Sequence, residues 1–285
     1  MILVTGATGT IGSQVVKLLR EKGVELRAFV RDPNKASSIR GPGVDIVQGD
    51  MGTPATLDAA MKGIDKVFLL SVGDPRQVEL QGDVINAAKR AGAEHIVKLS
   101  AQGASPDSPV SLARWHYETE KQLENSGLAY THLRPTFFMQ NFLGYVSTIK
   151  ADGAFYVPMH ETKLNMVDAR DIAAVAVATL TEQGHAGKAY EITGPEALSF
   201  AEAADKLAAA IGKPVRHVYV SPDAARNSML ASGMPRWLVD DLLKLFELFD
   251  AGLATAVTST VAEVARRQPH TFDQFARDYA SFFKD

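Results

Sequence analysis

The chain has 285 residues, 46% hydrophobic and 22% charged, which suits one large globular domain, or a large one with a smaller appendage. A net charge of −3 offers no basic field for nucleic acid, and the lack of cysteine removes disulfides, thiolate metal sites and a thiol nucleophile. No stretch reaches the ~18 uninterrupted apolar residues of a spanning helix, and the opening "MILVTG" leaves no room for a signal peptide, so a soluble, cytoplasmic protein is expected.

"ILVT" (2–5) is a short apolar run that stops at glycine. "SQVVKLLREKG" (13–23) follows with apolar residues at helical spacing and Gly23 as its stop. The alternation then repeats. Strands are predicted at 25–30, 44–49, 66–70, 95–100 and 129–134, with helices at 55–61, 77–91 and 110–126 between them. Strands alternating with helices imply parallel pairing and right-handed crossovers that cover both sheet faces. Past residue 135 the rhythm loosens: short strands are predicted at 155–158 and 163–167, a helix at 169–180 capped by Asp168, and a strand at 188–193. From 194 onward the pattern is mostly helical, as in "SFAEAADKLAAAIG" and "PRWLVDDLLKLFELF".

"VTGATGTIG" places Gly6, Gly9 and Gly12 between the first strand and the first helix. Gly6 allows the tight turn, Gly9 lets backbone approach a diphosphate, and Gly12 lets the helix pack close to the sheet. The helix N-terminus then offers unpaired N–H groups, Ile11 among them, and Thr8 and Thr10 can add hydroxyls. The other reading is a glycine turn with no ligand. A glycine turn that leaves an opening strand and enters a helix predicts a dinucleotide-binding, doubly wound parallel (Rossmann) α/β sheet. That domain is expected over residues 1–153, rejoined by 163–193, with a smaller, mostly helical lobe over 194–285. At the end of the second strand Arg31 can pair with a 2′-phosphate, which favours NADP(H), while the neighbouring Asp32 keeps NAD(H) open. Asp50 and Met51, in "VQGDM", stand where adenine would lie, Asp50 to accept from its amino group and Met51 to pack on the ring; a plain helix cap by Asp50 is the alternative.

These segments, together with "AGAEHIVKLSAQGA", "HYETEKQLENSGLAYTHLRPTFFMQN" and "NMVDARDIAAVAVATL", resemble the NmrA-like family of atypical short-chain dehydrogenases/reductases. That family includes bacterial NAD(P)H:quinone oxidoreductases and triphenylmethane-dye reductases, and also dinucleotide sensors without catalysis. The resemblance runs from residue 2 to about 220.

Tyr117-x-x-x-Lys121 has the spacing of the acid pair used by many carbonyl reductases. At about 100° per residue, Tyr117 points about 100° and Lys121 about 140° away from His116, toward the side that also holds Arg114 and Glu118. The register of extended relatives says the same: it makes Glu120 the acid that follows the motif, which puts His116 in the Lys slot and Leu112 in the Tyr slot. A simple ketone needs an acid for its developing alkoxide; a quinone or a cationic triarylmethyl dye needs less and can be reduced by positioning. The resemblance and the empty slots therefore imply direct hydride transfer to a quinone-like or extended aromatic acceptor, without flavin. Two rivals stay open: an NAD(P)-binding redox sensor, and a carbonyl reductase that uses Tyr117 and Lys121.

The crevice of an open parallel sheet lies at the strands' carboxyl ends. Ser71 and Val72 follow the fourth strand; Ser100, Ala101 and Gln102 follow the fifth. Ser100 could hydrogen-bond an acceptor oxygen, and His116 could line the site or be a satisfied core histidine. After the sixth strand, Pro135, Thr136 and Phe137 would present backbone and an apolar face to the nicotinamide, with Phe138 and Met139 facing a flat substrate; ordinary core packing is the alternative for each. The histidines are dispersed, with no H-E-x-x-H, so no metal is expected. The oligomeric state stays open.

Overall fold

The computed structural model describes residues 1–284. The first half runs β1 (Ile2–Val4), α1 (Thr10–Glu21), β2 (Leu26–Val30), a 3-10 segment (Pro33–Ile39), β3 (Val44–Gln48), α2 (Pro54–Ala60), β4 (Lys66–Leu69), α3 (Gln77–Ala91), β5 (His95–Leu99), α4 (Ser111–Glu124) and β6 (Ala129–Pro135). The second half begins with β7 (Phe137–Phe138), a 3-10 segment (Met139–Tyr145), α5 (Val146–Asp152), β8 (Ala154–Val157), β9 (Leu164–Val167), α6 (Ala169–Thr181), β10 (Lys188–Ile192) and β11 (Ala197–Leu198). It ends with α7 (Phe200–Ile211), β12 (Arg216–Tyr219), α8 (Pro222–Ala231), α9 (Arg236–Asp250), α10 (Thr260–Val264), α11 (Phe272–Asp278) and α12 (Ala280–Phe283).

Seven strands form one sheet in the order β10-β6-β5-β4-β1-β2-β3, and every pairing in it is parallel. Chain order reverses beside β1, which is flanked by β2 and β4, and that reversal opens a crevice at the carboxyl ends of the strands. Parallel strands covered on both faces must be apolar on both, and all of β1 and β5 is buried. One face packs under α1 and α6, around Val15, Leu19, Ile172 and Ala176. The other packs under α2 and α3, around Leu57, Val84 and Ala88, with Leu123 of α4.

A second core is rich in aromatic rings. Phe142 meets Phe155, Phe200 and Phe272 at centroid distances of 5.0–5.7 Å. It draws on residues before and after the returning α6 and β10, including Met139, Ile149, Leu207 and Phe275. Two small sheets, β11-β9-β7 and β8-β12, support it. β12 departs from the helical expectation after 194. Its four residues are too few to display a period, and its pairing with β8 supplies the missing partner.

The opening helix begins at Thr10, three residues ahead of the predicted start at 13, with Gly9 as N-cap. Ile11 explains the extra turn: at 3% exposure it anchors Thr10–Gly12 to the core despite their weak helix propensity.

Candidate functional site

The glycine turn is shaped by close contacts. Gly6 has φ +60°, in the left-handed region, and a Cβ there would lie 2.9 Å from Leu70. A Cβ on Gly12 would lie 2.1 Å from the Gly6 carbonyl oxygen, so only glycine lets α1 settle on the turn. No side chain caps α1 and no acid stands in its first turn, while Thr8, Gly9 and Thr10 are exposed. Its first N–H groups are left for an anion, with the helix dipole behind them, and a dinucleotide's diphosphate fits this turn. Ile11 contributes backbone only, because its side chain is core.

Beyond β2 and β3 an open pocket of about 400 Å³ is lined by Arg31, Gln48, Gly49, Asp50 and Thr56. Arg31 is exposed and its guanidinium has no partner among the described residues. Asp32 is committed elsewhere: it caps the following 3-10 segment, accepting from Asn34 N–H at 3.0 Å. Asp50 accepts from Gly52 N–H at 2.8 Å through one carboxylate oxygen and faces the pocket. Met51 is half-buried against the α2–α3 core.

On α4 the tyrosine–lysine pair belongs to the surface. Lys121 donates to Glu124 at 2.5 Å and lies 5.4 Å from the centre of the Tyr117 ring. The carbonyl-reductase reading of Tyr117 and Lys121 would need the ammonium free, whereas it is held by Glu124 and lies over the face of the Tyr117 ring. Tyr117→Phe is expected to keep turnover within about twofold of the unaltered protein, as surface substitutions usually do; steady-state kinetics checks this.

The inward face of α4 carries a different group. His116 Nδ1 lies 2.9 Å from the Nζ of Lys98, near the end of β5, and 3.4 Å from the Nε2 of Gln77, which opens α3. Lys98 is wholly buried, and it also donates to the Leu99 carbonyl at 3.2 Å. Burial pushes its ammonium down to about 7, against the pull of Glu120 and with help from Arg134. Burial, reinforced by Lys98, also holds the His116 imidazole well below its ordinary value, so the ring is neutral. Both neighbours of Nδ1 are donors, so Nδ1 accepts and Nε2 carries the proton. The ring is only half-buried.

Behind Lys98, Glu120 is wholly buried and takes a two-pronged contact from Arg134, at 3.0 and 2.6 Å. Burial opposes its charge, yet the Arg134 fork wins and holds the carboxyl below its usual range. Glu120, Glu124 and His132 bring ligand-type atoms within 4.8 Å of one another. Their carboxylates are paired, Glu120 with Arg134 and Glu124 with Lys121.

Helix α9 reaches into the same region. Asp241 of α9 accepts from the backbone N–H groups of Ser111 and Leu112, at 2.9 and 2.8 Å, and so caps α4. Trp237 of α9 packs on Trp115 at 5.4 Å, and a Cβ on Gly73 would meet Leu112 at 3.1 Å and Trp237 at 3.8 Å. The loop after β4, α4 and α9 therefore converge around Gly73.

The model of the NmrA-like family matches residues 1–276. The chain belongs to the NmrA-like family. An NAD(P)H azoreductase of Xenophilus azovorans is 46% identical over 283 residues, covering 99% of both chains. The Escherichia coli NADPH-dependent quinone oxidoreductase QOR2, in complex with NADPH, superposes with a TM-score of 0.88 at 30% identity, covering 98% of this chain and 99% of that one. Citrobacter sp. triphenylmethane reductase with NADP(H) gives 0.86 at 26% identity, covering 98% and 100%.

Within this NmrA-like chain the remaining expected residues fall into two groups. Ser71 and Val72 do lie at the exit of β4: Ser71 Oγ accepts from Gln81 at 2.8 Å, and Val72 is 65% exposed. Ala101 and Gln102, which follow the neighbouring strand β5, are half-buried. Ser100 is buried; its hydroxyl is near enough to Glu120 to favour the ionised carboxylate, but makes no hydrogen bond of proper geometry.

The segment after β6 differs from expectation. The Pro135 carbonyl already accepts from Gln102 N–H at 3.0 Å, and Thr136 N–H donates to the Ile192 carbonyl at 3.1 Å, so sheet closure occupies the polar groups expected to face a carboxamide. Phe137 stands edge-on to Phe142, Phe200 and Phe249 in the second core. Met139 is 1% exposed there, not free to wall a substrate pocket, and Phe138 packs on the first core. Lys98, Gln77 and Asp241 are additions. Only Lys98 left a trace in sequence: a lone charge in "HIVKL", a strand otherwise read as enclosed on both faces.

Proposed function

We propose that this chain is an NADPH-preferring reductase that passes hydride directly to a flat, conjugated acceptor such as an azo compound or a quinone. The carrying observation is the inner face of α4: Leu112 and His116 occupy the slots where a carbonyl reductase places its phenol and ammonium, and Lys121 is engaged by Glu124 and the Tyr117 ring. The glycine turn and the uncapped α1 would hold the diphosphate, and Arg31 the 2′-phosphate. The bound dinucleotide supplies hydride; the protein positions the acceptor and excludes water. The names of the relatives, an azoreductase and a quinone oxidoreductase, support this acceptor class. In this reading residues 1–153 and 163–193 carry the cofactor, 194–285 roof the acceptor, and neither flavin nor metal takes part. No helix among the described residues is long and apolar enough to cross a membrane, and we place the activity in the cytoplasm.

The test is loss of NADPH absorbance with purified protein and a panel of azo dyes, quinones and simple ketones. Turnover on the first two classes and not the third is expected; tight NADPH binding without turnover on any member would instead favour a redox sensor. Arg31→Ala should weaken NADPH binding about tenfold and leave NADH unchanged, as loss of one charge-assisted contact implies; calorimetric titration with both dinucleotides checks it.

A further inference from the structure

We propose that Lys98 and His116 form a two-step proton relay that serves acceptors needing a proton along with hydride, Lys98 supplying the proton and His116 handing it over. This rests on the reductase reading above and adds to it the source of the second hydrogen.

The geometry is directional. Lys98 Nζ donates to His116 Nδ1 at 2.9 Å, and Gln77 holds the same nitrogen from α3, so the ring has one orientation and one tautomer. Nε2–H is the group left for a ligand, on a ring that is half-buried while Lys98 behind it has no exposure. When hydride reaches one nitrogen of an azo group, the N=N π pair moves to the other nitrogen. That nitrogen takes the Nε2 proton, forming an N–H bond while the imidazole keeps the electron pair. Nδ1 binds a proton from Nζ in the same event, and Lys98 is left as a neutral amine. The product is the hydrazo compound; its N–N bond remains, and the relay resets when Nε2 takes a proton from solvent and Nδ1–H returns its proton to the buried Lys98 amine. No free imidazolate forms, which is what the lysine contributes. An ammonium pushed to about 7 by burial is matched to giving up a proton near neutral pH.

The surroundings fit a group that loses its charge in each cycle. Glu120 of α4 favours the ammonium, Arg134 of β6 opposes it, and His132 of β6 lies next to Lys98 in strand register. Because Arg134 already answers Glu120, no buried anion is stranded when Lys98 becomes neutral.

A cationic triarylmethyl dye separates the relay from a structural role, because hydride alone neutralises it and no proton is required. Lys98→Met keeps the side chain's length and removes the ammonium. It is expected to slow azo reduction at least tenfold more than dye reduction, consistent with the usual worth of acid catalysis. In the unaltered protein azo turnover should fall as pH rises through about 7, where Lys98 loses its proton, and dye turnover should lack that limb. An independent readout needs no cofactor and no variant: nitrogen NMR of histidine-labelled protein should show His116 neutral, protonated on Nε2, across neutral pH. Equal slowing of both acceptors by Lys98→Met, no slowing of either, or a His116 ring protonated on Nδ1 would overturn the relay and leave the reductase reading standing. Reduction of neither acceptor by the unaltered protein would overturn both.

Discussion

Alanine at position 12 is expected to abolish dinucleotide binding and to cost roughly 1–3 kcal/mol of stability, as forced overpacking does. The added methyl would stand 2.1 Å from the Gly6 carbonyl oxygen and 3.0 Å from the Ala7 Cα, both backbone, so no side-chain rotation relieves the clash. Either α1 lifts from the turn or the turn itself opens, and in both cases the first N–H groups leave the place where a diphosphate would meet them. Denaturant unfolding and NADPH titration together check this. Near-native affinity in Gly12→Ala would mean that the cradle is not the cofactor site.

Arg134→Met is expected to destabilise the fold by about 3–5 kcal/mol, the usual result of removing one partner from a buried pair. Glu120 has no exposed surface, and the guanidinium is its two-pronged partner. The pH dependence has a definite sign. In the unaltered protein the Glu120 carboxyl is held below its ordinary value, so its contribution is in place above the unfolded carboxylate range and is lost as pH falls through the lower folded value. Without Arg134 burial outweighs the remaining pulls of Ser100 and His132 and raises that carboxyl, so the variant's deficit should shrink toward pH ~4 and widen toward neutrality. Urea midpoints across that interval measure it. Adding Glu120→Leu should recover much of the loss, since the stranded charge goes with it; a deficit independent of pH, and not rescued, would place the damage in packing instead.

Much of the sheet was legible because a parallel, enclosed strand must be apolar throughout, and the helices between announce themselves by period. The tight glycine turn was legible because Gly6, Gly9 and Gly12 stand between an opening strand and a helix that close on each other. The outward turn of Tyr117 and Lys121 followed from helical angle alone. Three things were hidden. Lys98 meets His116 across 18 residues, and no local pattern records which face of a strand a lysine takes. Asp241 serves a helix 130 residues earlier, a contact set by the packing of α9. The residues after β6 looked like a ligand wall because they follow a strand's carboxyl end, yet closure of the sheet by β10 claims the Pro135–Thr136 backbone and the aromatic core claims Phe137 and Met139.

The Asp241 carboxylate makes α4 and α9 mechanically answerable to each other. It is 4% exposed, and it ties the front end of α4 to the middle of α9. A bulky molecule that wedged α9 outward would strip two backbone donors of their acceptor and loosen the turn that presents Leu112, one turn ahead of His116.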